Sequence, residues 1–155
     1  MRIARVCRRK YPDLDGVGAA IKGGRWNSPK THMVYASSCG ALAVLEYRVH
    51  TNDYPDDLLL YTIEIPDSLS VEKTDWMPDT NTSRTFGDSW AASERTPVLV
   101  VPSVVVPHQF NYLLNPKHPD LAGSIKVVDA QSFMLDVRLF SLIAIPYANS
   151  PQAIA

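Results

Sequence analysis

Cysteine is scarce: the 155 residues include only Cys7 and Cys39, and these form no CxxC pair. A disulfide framework and a thiolate zinc module are thereby excluded. The four histidines, His32, His50, His108 and His118, show no HxxxH spacing, so no metal site is expected and turn histidines at the surface are the simpler reading. No apolar run approaches the roughly 20 residues that a bilayer span needs, and no cationic segment at the start leads into a long apolar one. The expectation is a cytoplasmic protein with no membrane contact. Net charge is −1, which gives no overall attraction to nucleic acid, so direct nucleic-acid binding is not expected either. Glycines 16, 18, 23 and 24 echo a GxG pattern, but no strand–GxGxxG–helix unit surrounds them, which removes a Rossmann dinucleotide site. Ser103 has no GxSxG elbow and no histidine spaced to serve it, so a Ser/His/Asp hydrolase is disfavoured. Repeats and low-complexity segments are absent.

What remains is an ordinary globular mix, 46% apolar and 20% charged, long enough to bury one core without staples. We read residues 1–145 as one domain and residues 146–155, where all pattern is lost, as a disordered tail. Charge is unevenly distributed. Residues 1–25 carry seven Lys/Arg (Arg2, Arg5, Arg8, Arg9, Lys10, Lys22, Arg25) against Asp13 and Asp15, whereas ten carboxylates between Asp53 and Glu94 face only Lys73 and Arg84.

The pattern is α+β, with short mixed or antiparallel strands and two helices. Strands are expected over residues 1–7, 33–36, 58–65, 98–101, 111–114 and 125–128. Residues 8–24 read as a long ligand-type loop. A helix over residues 38–50, capped by Ser37 or Ser38, carries an apolar stripe of Ala41, Leu42, Leu45 and Val49 with Glu46 at its border. A second helix is expected over residues 83–93, weakened by Gly87. Val98–Val101 stops at Pro102, which leaves the Ser103 hydroxyl at a strand end before the apolar Val104, Val105 and Val106.

Residues 23–46 organise the chain. Two glycines allow a backbone to pass close to a ligand, and Arg25 follows with a planar fork suited to phosphate. Tyr35 ends the next strand, and Glu46 lies on the helix beyond it. Each signal has a plain rival: a lone helix Glu is most often solvated, Tyr35 fits a core, Ser103 fits a turn hydroxyl, and Arg25 with Glu46 fits a structural ion pair.

Several blocks together carry more information than any one. Gly23-Gly24-Arg25-Trp26-Asn27-Ser28, Val34-Tyr35-Ala36-Ser37, Ala41-Leu42-Ala43-Val44-Leu45-Glu46, Val101-Pro102-Ser103 and Asn111-Tyr112-Leu113-Leu114-Asn115-Pro116-Lys117-His118-Pro119 resemble, in this order, the RES domain. This is the toxin family of Xre–RES bacterial toxin–antitoxin modules. The resemblance implies a fold similar to ADP-ribosyltransferase toxins and an enzyme that uses NAD as substrate with no further cofactor. NAD is cleaved by hydrolysis or phosphorolysis, or its ADP-ribose passes to a protein. The family's Arg, Glu and Ser fall on Arg25, Glu46 and Ser103, the matching tyrosine is Tyr35, and an N-terminal strand arginine matches Arg5. By resemblance, Glu46 stabilises the reacting ribose, Arg25 and Arg5 hold the pyrophosphate or nicotinamide-ribose side, Tyr35 stacks on nicotinamide, and Ser103 orients ribose or the nicotinamide amide. It further implies an Xre-type helix-turn-helix antitoxin partner and allows a homodimer. Lys30 stands where relatives often have glycine.

Overall fold

The computed structural model describes residues 1–140 apart from residues 52, 76 and 78. The expected α+β class is found. Seven strands, β1 (Arg2–Arg8), β2 (Val34–Ser37), β3 (Leu58–Glu64), β4 (Val71–Lys73), β5 (Val98–Pro102), β6 (Phe110–Leu114) and β7 (Lys126–Phe133), form one sheet in the order β4-β5-β6-β2-β1-β3-β7. Every neighbouring pair is antiparallel except β4 with β5. Three helices accompany it: α1 (Val17–Lys22), α2 (Gly40–Val49) and α3 (Thr80–Ser93), with a 3-10 turn at Val137–Leu139.

Residues directly opposite in a ladder share a face, so the registers sort the side chains. One face carries Ile3 and Cys7 of β1, Val34 and Ala36 of β2, Tyr61 and Ile63 of β3, Val98 of β5 and Leu114 of β6, which pack into one buried cluster. The other carries Tyr35, Ser37, Leu99, Val101, Asn111 and Leu113, and its apolar members pack with Trp26, Met33 and Trp90. The sheet is loosest at its centre. β1 and β2 meet at one register pair, Ala4 with Ser37, whereas β1 follows β3 through the seven pairs from Arg2–Glu64 to Arg8–Leu58.

Several local expectations are corrected. Residues 8–24 are not all loop, because α1 lies within them; it has six residues and buries none, so no apolar period marks it. The α2 cap is Cys39, with no side-chain cap bond, because Ser37 stays in β2 and its hydroxyl is drawn to Asn111 instead. The buried face of α2 is Leu42 and Ala43, while Ala41, Leu45 and Val49 are exposed. Glu46 lies three and four residues beyond that pair, hence on the covered face rather than at its border. α3 begins earlier than expected, because Asp79 caps it by accepting from Thr82 N at 2.9 Å. Residues 104–106 turn rather than extend the apolar run, leaving Val104 exposed. His118 is buried, not a surface turn residue: its Nδ1 accepts from Asp120 N–H, so Nε2–H donates to the Glu94 carbonyl at 2.9 Å. The expected tail, residues 146–155, and the domain end at residue 145 fall outside the described residues.

Candidate active site

Glu46 is held from two strands. Its Oε1 accepts from the Ser103 hydroxyl at 2.7 Å and from Asn111 Nδ2 at 2.6 Å. The donor assignment at Ser103 follows from its neighbours. Its Oγ already accepts from Val105 N–H at 3.1 Å and Val106 N–H at 3.0 Å, so its single proton goes to the carboxylate. That pattern ties the hydroxyl into the turn after β5. Asn111 Oδ1 in turn accepts from the buried Ser37 hydroxyl at 2.7 Å. Charge-assisted bonds of this type contribute about 1.5–3 kcal/mol each. Both fall on Oε1; neither donor uses Oε2.

The glycine turn is built by α3 and β2 together. The Tyr35 hydroxyl donates to Asn27 Oδ1 at 2.7 Å and accepts from Trp26 N–H at 3.1 Å. Burial pushes its ionisation far up, so it remains a phenol donor. Asn27, fully buried, spends its amide on the Ala19, Ser28 and Thr31 carbonyls and joins the turn to α1. From α3, Arg84 grips the Gly24 carbonyl through Nε at 3.1 Å and Nη2 at 3.0 Å, and Asp88 accepts from Ser28 N–H at 2.9 Å. Arg84 and Asp88 are one helical turn apart and hold both ends of the loop. Burial disfavours the charged Asp88, but the Ser28 side-chain and backbone bonds, with Thr31 and Arg84, outweigh it and hold its carboxyl below the usual range. A Cβ on Gly24 would meet the Tyr35 hydroxyl at 2.6 Å, and one on Gly87 would meet the Trp26 carbonyl oxygen at 1.9 Å. These two glycines are needed for close approach.

Half-buried Arg25 extends from this turn toward the start of α3, where Nη2 donates to the Met77 carbonyl at 3.0 Å. Its charge also reaches Asp79, whose carboxyl is held below the usual range chiefly by the Thr82 backbone and side-chain bonds. An Arg25–Glu46 ion pair is not found among the described residues. Arg5 lies on the opposite face from Tyr35 and Ser37, next to Ala4, which pairs with Ser37. Its Nε is buried without a hydrogen-bond partner. The rest of its guanidinium faces the Cys7 thiol, while Arg2 pairs with Glu64, Arg8 with Asp57, and Arg9 with the Ser132 hydroxyl. Burial pushes the Cys7 thiol up while Arg5 opposes it, so this thiol stays protonated. No group of three or more His, Cys, Asp or Glu that could hold a metal occurs among the described residues.

A family model for the RES domain matches residues 2–136. The chain belongs to the RES domain family. A protein named "Prs ADP-ribosylating toxin" from Sphingobium sp. (strain YBL2) is 43% identical over 140 residues, covering 82% of this chain and 86% of the relative. A protein named "Toxin Res" from Yersinia enterocolitica serotype O:8 is 35% identical over 151 residues, covering 90% and 99%. The fold is similar to that in the crystal structure of the M. tuberculosis MbcT-MbcA toxin-antitoxin complex, with TM-score 0.70 at 15% identity, covering 86% of this chain and 84% of that one.

In this RES domain, Glu46 and Ser103 are in direct contact, and Tyr35 faces the same side of the sheet as Ser37 and Asn111. Arg25 stands on the same loop that Tyr35 anchors, and Arg5 comes from the other face. The Ser103 hydroxyl is engaged with Glu46 here, and the Tyr35 hydroxyl with the glycine turn. Sequence reading missed Asn111, Ser37, Asn27, Arg84 and Asp88 as members of this construction. Three lie inside the quoted blocks, and their polarity at positions that turn out buried or half-buried is the signal they offered. Arg84 and Asp88 read as solvated charges of a helix, and only the packing of α3 on the loop reveals them. Lys30 has φ 81°, a backbone conformation natural to glycine.

Proposed function

We propose that this chain is the toxin of a bacterial toxin–antitoxin module and that it cleaves the nicotinamide–ribose bond of NAD, halting growth. The observation that carries the reading is the Glu46 carboxylate, with Oε1 pinned by Ser103 and Asn111 and Oε2 used by neither donor. Cleavage develops positive charge on the ribose as nicotinamide leaves, and a fixed carboxylate stabilises that charge without reorganising. Nicotinamide departs as a neutral molecule from a cationic one, so the site needs no strong general acid. Arg25, on a turn fixed by Tyr35, Asn27, Arg84 and Asp88, is assigned to the pyrophosphate. Arg5 is assigned there too, its buried Nε having no hydrogen-bond partner among the described residues and its backbone lying next to Ala4, which pairs with Ser37. The Tyr35 ring is assigned to stack on nicotinamide.

Water or phosphate as acceptor gives NAD degradation. The second reading, transfer of ADP-ribose to a protein, is favoured by the name of the Sphingobium relative, and both readings share the bond-breaking step. An Xre-type helix-turn-helix antitoxin is the proposed partner, in keeping with relatives named toxins and a structural neighbour taken from a toxin–antitoxin complex. Adenine-labelled NAD, incubated with purified protein with and without phosphate and cell lysate, separates the outcomes. Free ADP-ribose or its phosphorylated form supports degradation, label on one protein supports transfer, and intact NAD throughout refutes both.

A further inference from the structure

Asn111 is assigned no contact with NAD, yet it spends both ends of its amide inside the site, on Glu46 and on Ser37. We propose that Asn111 is a positioning residue that fixes the plane of the Glu46 carboxylate, with Ser37 locking the Asn111 amide in the orientation this requires. This rests on Glu46 being the carboxylate that serves NAD cleavage.

The direction of every bond in the network is determined by chemistry. An ionised carboxylate only accepts, so the Asn111 end at 2.6 Å from Glu46 Oε1 is the NH2 group. That leaves Oδ1 toward Ser37, whose hydroxyl therefore donates across 2.7 Å. Ser103 is likewise forced to donate, since two backbone N–H groups already point at its oxygen. Two donors from separate elements, β6 and the turn after β5, converge on one carboxylate oxygen. The reason for two lies in the side chain. The terminal torsion of a glutamate turns in a broad, two-fold well, and a single donor would leave the second oxygen free to sweep around the first. With both in place, Oε2 has one direction. The support comes from the β2–β6 ladder: Asn111 and Ser37 are register partners on these neighbouring strands, which are joined through four pairs, and Ser37 is buried. Asn115, by contrast, donates to a backbone group, the Ala91 carbonyl, whereas the Asn111 amide bonds the Glu46 and Ser37 side chains.

The test is steady-state nicotinamide release by Asn111→Ala, Asn111→Asp and Ser37→Ala, each alone and with Glu46→Gln. Loss of one charge-assisted bond should lower kcat by ~10- to 100-fold in Asn111→Ala while KM for NAD stays within ~3-fold. Asn111→Asp, which sets an acceptor against Glu46, should fall at least as far. Ser37→Ala leaves Asn111 in place but frees its amide to turn, and should show a smaller loss of the same kind. In the Glu46→Gln background none of the three should lower kcat further. Asn111→Ala with kcat within ~2-fold of the parent, or losses that simply add to that of Glu46→Gln, would overturn the proposal. The side-chain amide signals of Asn111 in 15N spectra give a readout without NAD, and both should move in Glu46→Gln and in Ser37→Ala. If they move but the parent protein releases no nicotinamide, the functional reading fails and the positioning stands. If they stay still, the positioning fails whatever the activity.

Discussion

Replacing Gly87 by Ala sets two effects of opposite sign against each other. In an unencumbered helix interior, the change stabilises by about 1 kcal/mol through helix propensity. Here the new Cβ would stand 1.9 Å from the Trp26 carbonyl oxygen, against the 3.0–3.4 Å at which such contacts already become tight. The loop must therefore withdraw from α3 by more than 1 Å, and the same loop carries the paired Arg84 bonds to Gly24 and the Asp88 bond from Ser28 N–H. Weakening two charge-assisted contacts costs about 1.5–3 kcal/mol each at full loss, and forcing volume into a packed contact costs about 1–3 kcal/mol. The net expectation is destabilisation by about 2–4 kcal/mol after the propensity gain is subtracted. Urea unfolding monitored by tryptophan fluorescence measures it, since Trp26 and Trp90 are both buried. In the folded fraction, NAD binding should weaken as well, because Arg25 rides on the displaced turn. A midpoint shifted upward, with Gly87→Ala more stable than the parent, would refute the close docking of α3 on the glycine turn.

Tyr35→Phe keeps the ring but removes the hydroxyl that joins Asn27 and Trp26, so stability should fall by about 1–3 kcal/mol in thermal melts while NAD binding suffers less than in Tyr35→Ala. Asp88→Asn should lose about 1 kcal/mol at neutral pH. Because the folded-state carboxyl is held below its ordinary range, the parent's advantage is fully present above that ordinary range and is lost as pH falls from there through the lowered folded-state value, which unfolding curves from pH 7 into the acid range will show. Lys30→Gly relieves a positive φ of 81° and should stabilise by about 0.5–1 kcal/mol, visible as a raised melting temperature with unchanged NAD turnover.

The strands were legible because short apolar runs bounded by Pro and Asn mark them, continuous in β3 and β5, and β3, β5 and β6 fall close to where the pattern places them. β4 and α1 were not, since three and six residues with no buried face leave no period to read. The apolar stripe of α2 misled for a different reason. Three of its four members are solvent-facing, and the helix is seated by Leu42 and Ala43, so the covered face includes the carboxylate itself. The placement of Glu46 near Ser103 came from the family blocks, because no local rule joins residues 57 positions apart. Gly87 shows the limit most clearly: propensity counts it as a weak point in a helix, while the structure requires it as the one residue that lets the loop approach.

The most direct test of the central claim is nicotinamide release from NAD by the purified chain and by Glu46→Gln. The Gln variant keeps the volume and can still accept from Ser103 and Asn111 through its amide oxygen, so it should fold like the parent. Loss of the charge facing the developing cation should lower kcat by ~100-fold or more while NAD still binds. Equal rates of nicotinamide release from the two proteins would contradict the account.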